Sequence, residues 1–166
     1  MQSKQLLQMA LQLNERAVWP LLEDMASAPL TRPTSNGGNH PLWIAGHLTY
    51  SEGMLIWQFA RGENNPVAEW KELFNAGTQP GSDAAKYPPF EAVVQKLKDI
   101  RRQTLACLET LTEEDLDRPS QGVPEQFRQF FGTVRQCFLM AAMHPMNHRG
   151  QIADARRAVG RKPLFM

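Results

Sequence analysis

In the stretch "MHPMNHRGQIADARRAVG", Met143 to Gly160, two histidines stand four residues apart with a proline between them. Side chains at i and i+4 of a helix lie one above the other on one face. His144 and His148 could therefore bring two imidazoles to a single ion at about 2.0–2.1 Å each. A third candidate is His47, about a hundred residues earlier. An HxxxH spacing alone is weak, because it arises by chance and a core histidine can be satisfied by hydrogen bonds. Burying imidazole without partners is costly, and either metal ligation or such bonds would answer that cost.

The elements that must carry these residues read as helices. On the last one the apolar stripe runs Val134, Cys137, Ala141, His144, His148, Ile152 with Ala155, and Val159, so both histidines point inward. This helix is predicted to begin between Phe131 and Val134 and to end at Gly160, ahead of Lys162-Pro163. An earlier helix opens at Pro41, which suits a first helical position, and runs to about Arg61 with Gly62 as its stop. Its stripe is Ile44, His47 with Leu48, Ser51, Met54 with Leu55, and Gln58, which turns His47 inward too. Pro145 removes one N–H and disfavours helical geometry at His144. A helical proline costs about 3 kcal/mol; metal ligation is one candidate compensation, and plain tolerance of a kink is the other.

Two further periodic segments complete the frame. The first spans about Lys4 to Ala28, with Leu6, Met9, Leu13, Ala17, Leu21 and Met25 as its stripe and Pro20 inside it. The third helix in order follows Pro88-Pro89 and reaches about Leu111 on Val93, Leu97, Ile100, Thr104, Leu108 and Leu111; a capping box from Thr112 to Asp115 then opens one turn. Four amphipathic helices and no alternating strand pattern predict an all-α fold, a four-helix bundle in one domain over residues 1–166. The connection from Gly62 to Pro88 is long for a bundle, and a short extra helix is expected at "VAEWKELF".

Composition removes several classes. The chain of 166 residues is 42% hydrophobic and 21% charged with a net charge of +1, an ordinary globular profile. That balance argues against a general nucleic-acid or acidic-membrane binder. The local excess of Arg149, Arg156, Arg157, Arg161 and Lys162 over Asp154 reads as cations at a helix C-terminus. Cys107 and Cys137 have no CxxC partner, so buried reduced cysteines and a cytoplasmic location are expected. Glutamines and charges interrupt every apolar run of "MQSKQLLQMALQLNERAVW", which reads as an amphipathic helix rather than a signal peptide, and no 18-residue apolar run is present.

Distance excludes other ligands. Cys137 lies seven residues before His144, about 10 Å along the axis, and Asp154 lies about 9 Å past His148. His40 precedes Pro41 near a helix cap and is set aside as a ligand. Glu52 falls one residue off the inward stripe and could act as a base only on a rotated helix. Asn147 and Gln151 flank His148 and could line the site, and Tyr50 and Ser51 follow His47; exposure or packing rather than catalysis is the expected role of each.

"HPLWIAGHLTYSEGMLIW" followed by "HPMNHRGQIADARRAVGRKP" resembles the DinB-like metal-binding four-helix bundles, a superfamily that includes bacillithiol- and mycothiol-dependent S-transferases and proteins described as metal-dependent hydrolases. The likeness extends to "YPPFEAVVQKL" and "LTEEDLDRP", and so over nearly the whole chain. The resemblance implies one divalent ion, commonly zinc or nickel, on His47, His144 and His148, and a homodimer. It also implies a choice of functions. Three histidines leave positions open, the arrangement of a catalytic site, at which a small thiol could be activated for S-transfer or water for hydrolysis. A non-catalytic, stress-related bundle stapled by its ion is another reading, and a partner-gripping flap at Trp70, Leu73 and Phe74 a third. No unambiguous general base separates them.

Overall fold

The computed structural model describes residues 2–33 and 38–164, so both ends of the expected 1–166 domain lie outside it. Four long helices dominate: α1 (Ser3–Glu23), α2 (Pro41–Gly53), α4 (Phe90–Thr110) and α7 (Val134–Ala158). Three short ones stand between them: α3 (Lys71–Phe74), α5 (Glu113–Asp117) and α6 (Arg128–Phe131). No β-strand occurs among the described residues, and the all-α expectation holds. No described helix is long and apolar enough to cross a membrane.

The capping chemistry explains most boundaries. Pro41 opens α2 behind His40, whose ring accepts the Trp43 N–H. Thr133 and Gln136 form a reciprocal capping box at the start of α7, and Thr112 and Asp115 do the same for α5. Past Gly53 the second helix widens into a π-helix, Met54–Arg61, and ends on Gly62 at φ 72°, a left-handed conformation that suits glycine. The expected short helix at "VAEWKELF" is present as a 3-10 turn over Ala68–Trp70 leading into α3. Two short 3-10 turns were not foreseen: Ala84–Lys86 in the long connection, and Glu125–Phe127, which continues into α6.

α1 packs on α7 and α4, and α2 packs on α4 and α7. The core divides into two apolar clusters. One gathers Val18, Leu22, Ile44, Leu48, Val93, Leu97 and Ile152, and the other Leu7, Leu11, Leu55, Ile56, Leu108, Cys137 and Phe138. From the order in which each helix meets them, α1 and α7 run in one direction and α2 and α4 in the other. Between the clusters every long helix contributes polar residues to one layer: Asn14, Ser51 with Glu52, Arg101 with Thr104, and the α7 histidines.

Two expectations about faces need correction. Leu6, Met9 and Leu13 do not face the core; α1 buries Leu7, Leu11, Asn14 and Val18 instead. Both rows have helical spacing, and the presence of Asn14 disguised the inner one. α2 is buried on every side from Pro41 to Gly53, so it lacks the expected amphipathic stripe. The helix around Pro20 is unbroken, and α1 ends at Glu23 rather than Ala28. The basic tail is largely paired: Arg156 and Arg161 both reach Asp24, at 2.8 and 3.0 Å, and Arg157 pairs with Asp154.

Candidate metal centre

The polar layer brings His47, His144 and His148 together. His144 Nε2 lies 3.2 Å from His47 Nε2 and 3.2 Å from His148 Nε2. Two nitrogens bonded to one tetrahedral ion at about 2.0–2.1 Å stand about 3.3 Å apart. The observed spacing therefore matches three ligands to one ion, and this trio could hold one.

The outer ring nitrogens strengthen that fit. His47 Nδ1 lies 2.8 Å from the Phe74 carbonyl, and His148 Nδ1 lies 2.8 Å from Gln151 Oε1. Both contacts are to acceptors, so each Nδ1 carries the proton and each Nε2 turns a lone pair inward. Without a cation those lone pairs converge on one His144 Nε2, which has at most one proton to offer. The carbonyl-to-Nδ1 bond is also the usual support behind a metal-ligating histidine. Burial holds the rings neutral, pushing His47 to about 4 and His144 to about 3 and lowering His148. Neutral imidazole is the form that ligates.

Local packing sets the aim of each ring. Trp43 stacks on His47 at 4.5 Å between ring centres. Phe74 can deliver its carbonyl because its ring lies against Gly46, where any Cβ would come within 2.2 Å of it. The hydrophobic flap of α3 is thus a support for His47, with Phe74 fully buried. Its exposure as a gripping surface does not extend to that residue.

Pro145 lies inside α7, which runs unbroken through it. Its ring nitrogen cannot donate to the carbonyl four residues back, Ala141 O. Arg101 supplies that carbonyl with a donor instead, from Nη2 at 3.2 Å, and Asn14 donates to the next one, Ala142 O. Arg101 also bonds to Leu11 O at 2.9 Å and forms a two-pronged pair with Glu52 at 2.8 and 2.7 Å, both residues almost wholly buried. Glu52 is thereby committed to Arg101 and is no free base. Sequence reasoning missed Arg101; the available signal was its place on the apolar row Val94, Leu97, Arg101, Thr104, Leu108.

The remaining candidates fall as follows. His40 is buried with both nitrogens engaged, Nδ1 by Trp43 N–H and Nε2 by Gly81 O at 2.9 Å, and is no ligand. Asn147 is exposed, and Tyr50 is core. Gln151, which could line the site but is expected to be exposed or packing, is exposed and lies in hydrogen-bond contact with His148. A cavity of about 440 Å³ opens beside the trio and is lined by His47, His144, Ser51 and Asn75 at that end.

An all-α frame with three inward histidines on two helices, each carried in the form that ligates, defines a helical protein built around one candidate metal centre. The family model of the DinB superfamily matches residues 10–152, a span containing His47, His144, His148 and Gln151, and the chain belongs to that superfamily. No functionally curated protein matches it.

Proposed function

We propose that this protein is a cytoplasmic, single-domain enzyme with one divalent ion per chain, zinc or nickel, held by His47, His144 and His148, and that it activates a small thiol for S-transfer. The observation that carries the metal reading is the pair of outward Nδ1–H bonds, which leaves three Nε2 atoms at ligand spacing. The thiol rests on the resemblance to DinB-like S-transferases. A bound ion would lower the pKa of a thiol or a water at its open position. The chain's own residues then do the rest. Phe74 and Gln151 fix the two rings, Arg101 braces the helix under His144, and the cavity walls shield the reacting group from bulk water.

Hydrolysis is the second reading, and one observation favours it. Among the described residues no charged side chain lines the cavity beside the histidines, so the carboxylates of a glutathione-like thiol meet no cation from them there. The resemblance also supports a homodimer, and an exposed apolar face on α1 and α7 offers a surface for it.

Metal analysis of the untagged protein should give about one divalent ion per chain, with His47→Ala and His148→Ala each losing it. Full occupancy in both variants would mean that the ligands are wrongly assigned. A panel of bacillithiol, mycothiol, glutathione and coenzyme A against a chlorinated nitrobenzene then separates the chemistries. Turnover with one thiol supports S-transfer; none, together with cleavage of esters or amides, moves the assignment to hydrolysis.

A further inference from the structure

The cavity that begins at His47 and His144 changes character along its length. Ser51 and Asn75 stand with the histidines at one end, and the remaining walls are apolar. Met54, Leu55 and Phe59 come from the second helix, Met140 from α7, and Phe127 and Phe131 from the unforeseen 125–131 segment. The aromatic members form one wall. Phe131 stacks on Phe59 with ring centres 6.0 Å apart, and Phe127 lies 6.2 Å from Phe131. Phe127 is 45% exposed although it is apolar and next to a cavity.

Among the described residues, no Asp, Glu, Lys or Arg lines this space. The chain does put charges in a cavity elsewhere: the one beside Cys107 is lined by Arg61, Glu63 and Arg118, away from the histidines. An ionised group drawn into the first cavity would lose its water and find no partner, which strongly disfavours it. At about 440 Å³ the space falls within the range of small-molecule sites, roughly 300–1,000 Å³.

We propose that the cavity is the binding site for the non-reacting part of the substrate, and that this part is an uncharged apolar group, aromatic by preference, lying between the phenylalanine wall and Met140 with its reactive atom at the histidine end. The inference deepens the metal-enzyme reading and rests on it for the identity of the reactive end. It narrows both chemistries alike. An S-transferase would take a neutral aromatic electrophile, and a hydrolase an aromatic or bulky aliphatic acyl group.

Two probes test it on the full chain. N-phenyl-1-naphthylamine, neutral and fluorescent, reports on the cavity of metal-stripped protein. It should bind with a blue-shifted emission, and Phe127→Ala should weaken it several-fold. Met140→Arg should weaken it further, and the circular dichroism of each variant shows that it is folded. On zinc-loaded protein, 4-phenylbutanehydroxamate should bind roughly tenfold or more tightly than acetohydroxamate, because a ring is buried. Succinohydroxamate, which carries a carboxylate instead, should gain nothing.

Equal affinity for the three hydroxamates on stoichiometrically loaded protein overturns the inference and leaves the metal centre standing. So does probe binding that ignores both substitutions. A chain that takes up no zinc but still binds the naphthylamine in a Phe127-dependent way sinks the metal reading and sustains the apolar site.

Discussion

His40 and His47 lie seven residues apart and use the same ring differently. His40 spends both nitrogens on the backbone, accepting from Trp43 N–H and donating to Gly81 O. His47 donates from one to Phe74 O and turns the other toward His144 Nε2, 3.2 Å away. The first is thereby a structural cap and the second a potential ligand, and neither burial nor residue type distinguishes them. Protonating His40 would set an N–H against the Trp43 N–H, and burial holds its pKa below the ordinary value. His47, near 4, and His144, near 3, are depressed in the same sense. Between about pH 6.5 and these lower values the unfolded chain therefore binds more protons than the folded one. Stability of the chelator-treated protein is full above about pH 6.5 and falls below it, by up to about 1.4 kcal/mol per pH unit for each histidine. Urea midpoints measured from about pH 7.5 down to about pH 5 should decline, and less steeply in His40→Asn, which keeps a cap but cannot titrate. An identical slope in that variant would remove His40 from the account.

At the scale of the element, α7 runs unbroken through Pro145 with support from another helix. The carbonyl that the proline orphans is met by Arg101 of α4, itself held by Glu52 of α2, so three helices fix one turn beneath His144. Removing one partner of a buried pair costs about 3–5 kcal/mol, and Arg101→Leu should do so in chemical unfolding. Pro145→Ala restores an N–H for Ala141 O. In the Arg101→Leu background it should be stabilising by about 1 kcal/mol more than in the parent. Additive effects of the two changes would show that the bond carries no weight. The puzzle of Pro145 was visible in the chain, and its answer was not: the row that carries Arg101 marks it as inward, but nothing in the sequence joins it to a turn 44 positions away. The same limit hid the inner row of α1, where Leu6, Met9 and Leu13 were the more apolar choice. The 125–131 segment has too few residues to show a period.

For the molecule as a whole, the legible part was what repeats or ligates. Helical spacing marked the four long helices, and histidines at inward positions marked the cluster that could hold an ion, since few residue types can serve there. What required coordinates was everything fixed by neighbours distant in the chain: the Phe74 carbonyl, the Arg101 brace and the aromatic wall. One surface also becomes apparent only in the folded protein. Leu6, Met9 and Leu13 of α1 and Leu139, Met143 and Met146 of α7 are 42% to 57% exposed, on adjacent helices running in the same direction. Such a two-helix apolar face suits pairing with the same face of a second copy about a twofold axis. Light scattering should give a mass about twice the 18.8 kDa chain, and Leu13→Lys with Met143→Lys should return a folded monomer. A monomeric parent at micromolar concentration would exclude the homodimer.

The π-wound segment after Gly53 sets which residues line the cavity beside the histidines. With about 100° per residue in an α-helix, Phe59, twelve positions beyond His47, would point about 120° away from it. A π segment turns by roughly 82° per residue, which cancels most of that drift and returns Phe59 to the histidine wall. Rewound as α-helix, the same residues would present Gln58 there instead. A change of winding alone over residues 54–61, with every ligand candidate left in place, would thus exchange an aromatic wall for an amide and make the cavity more polar.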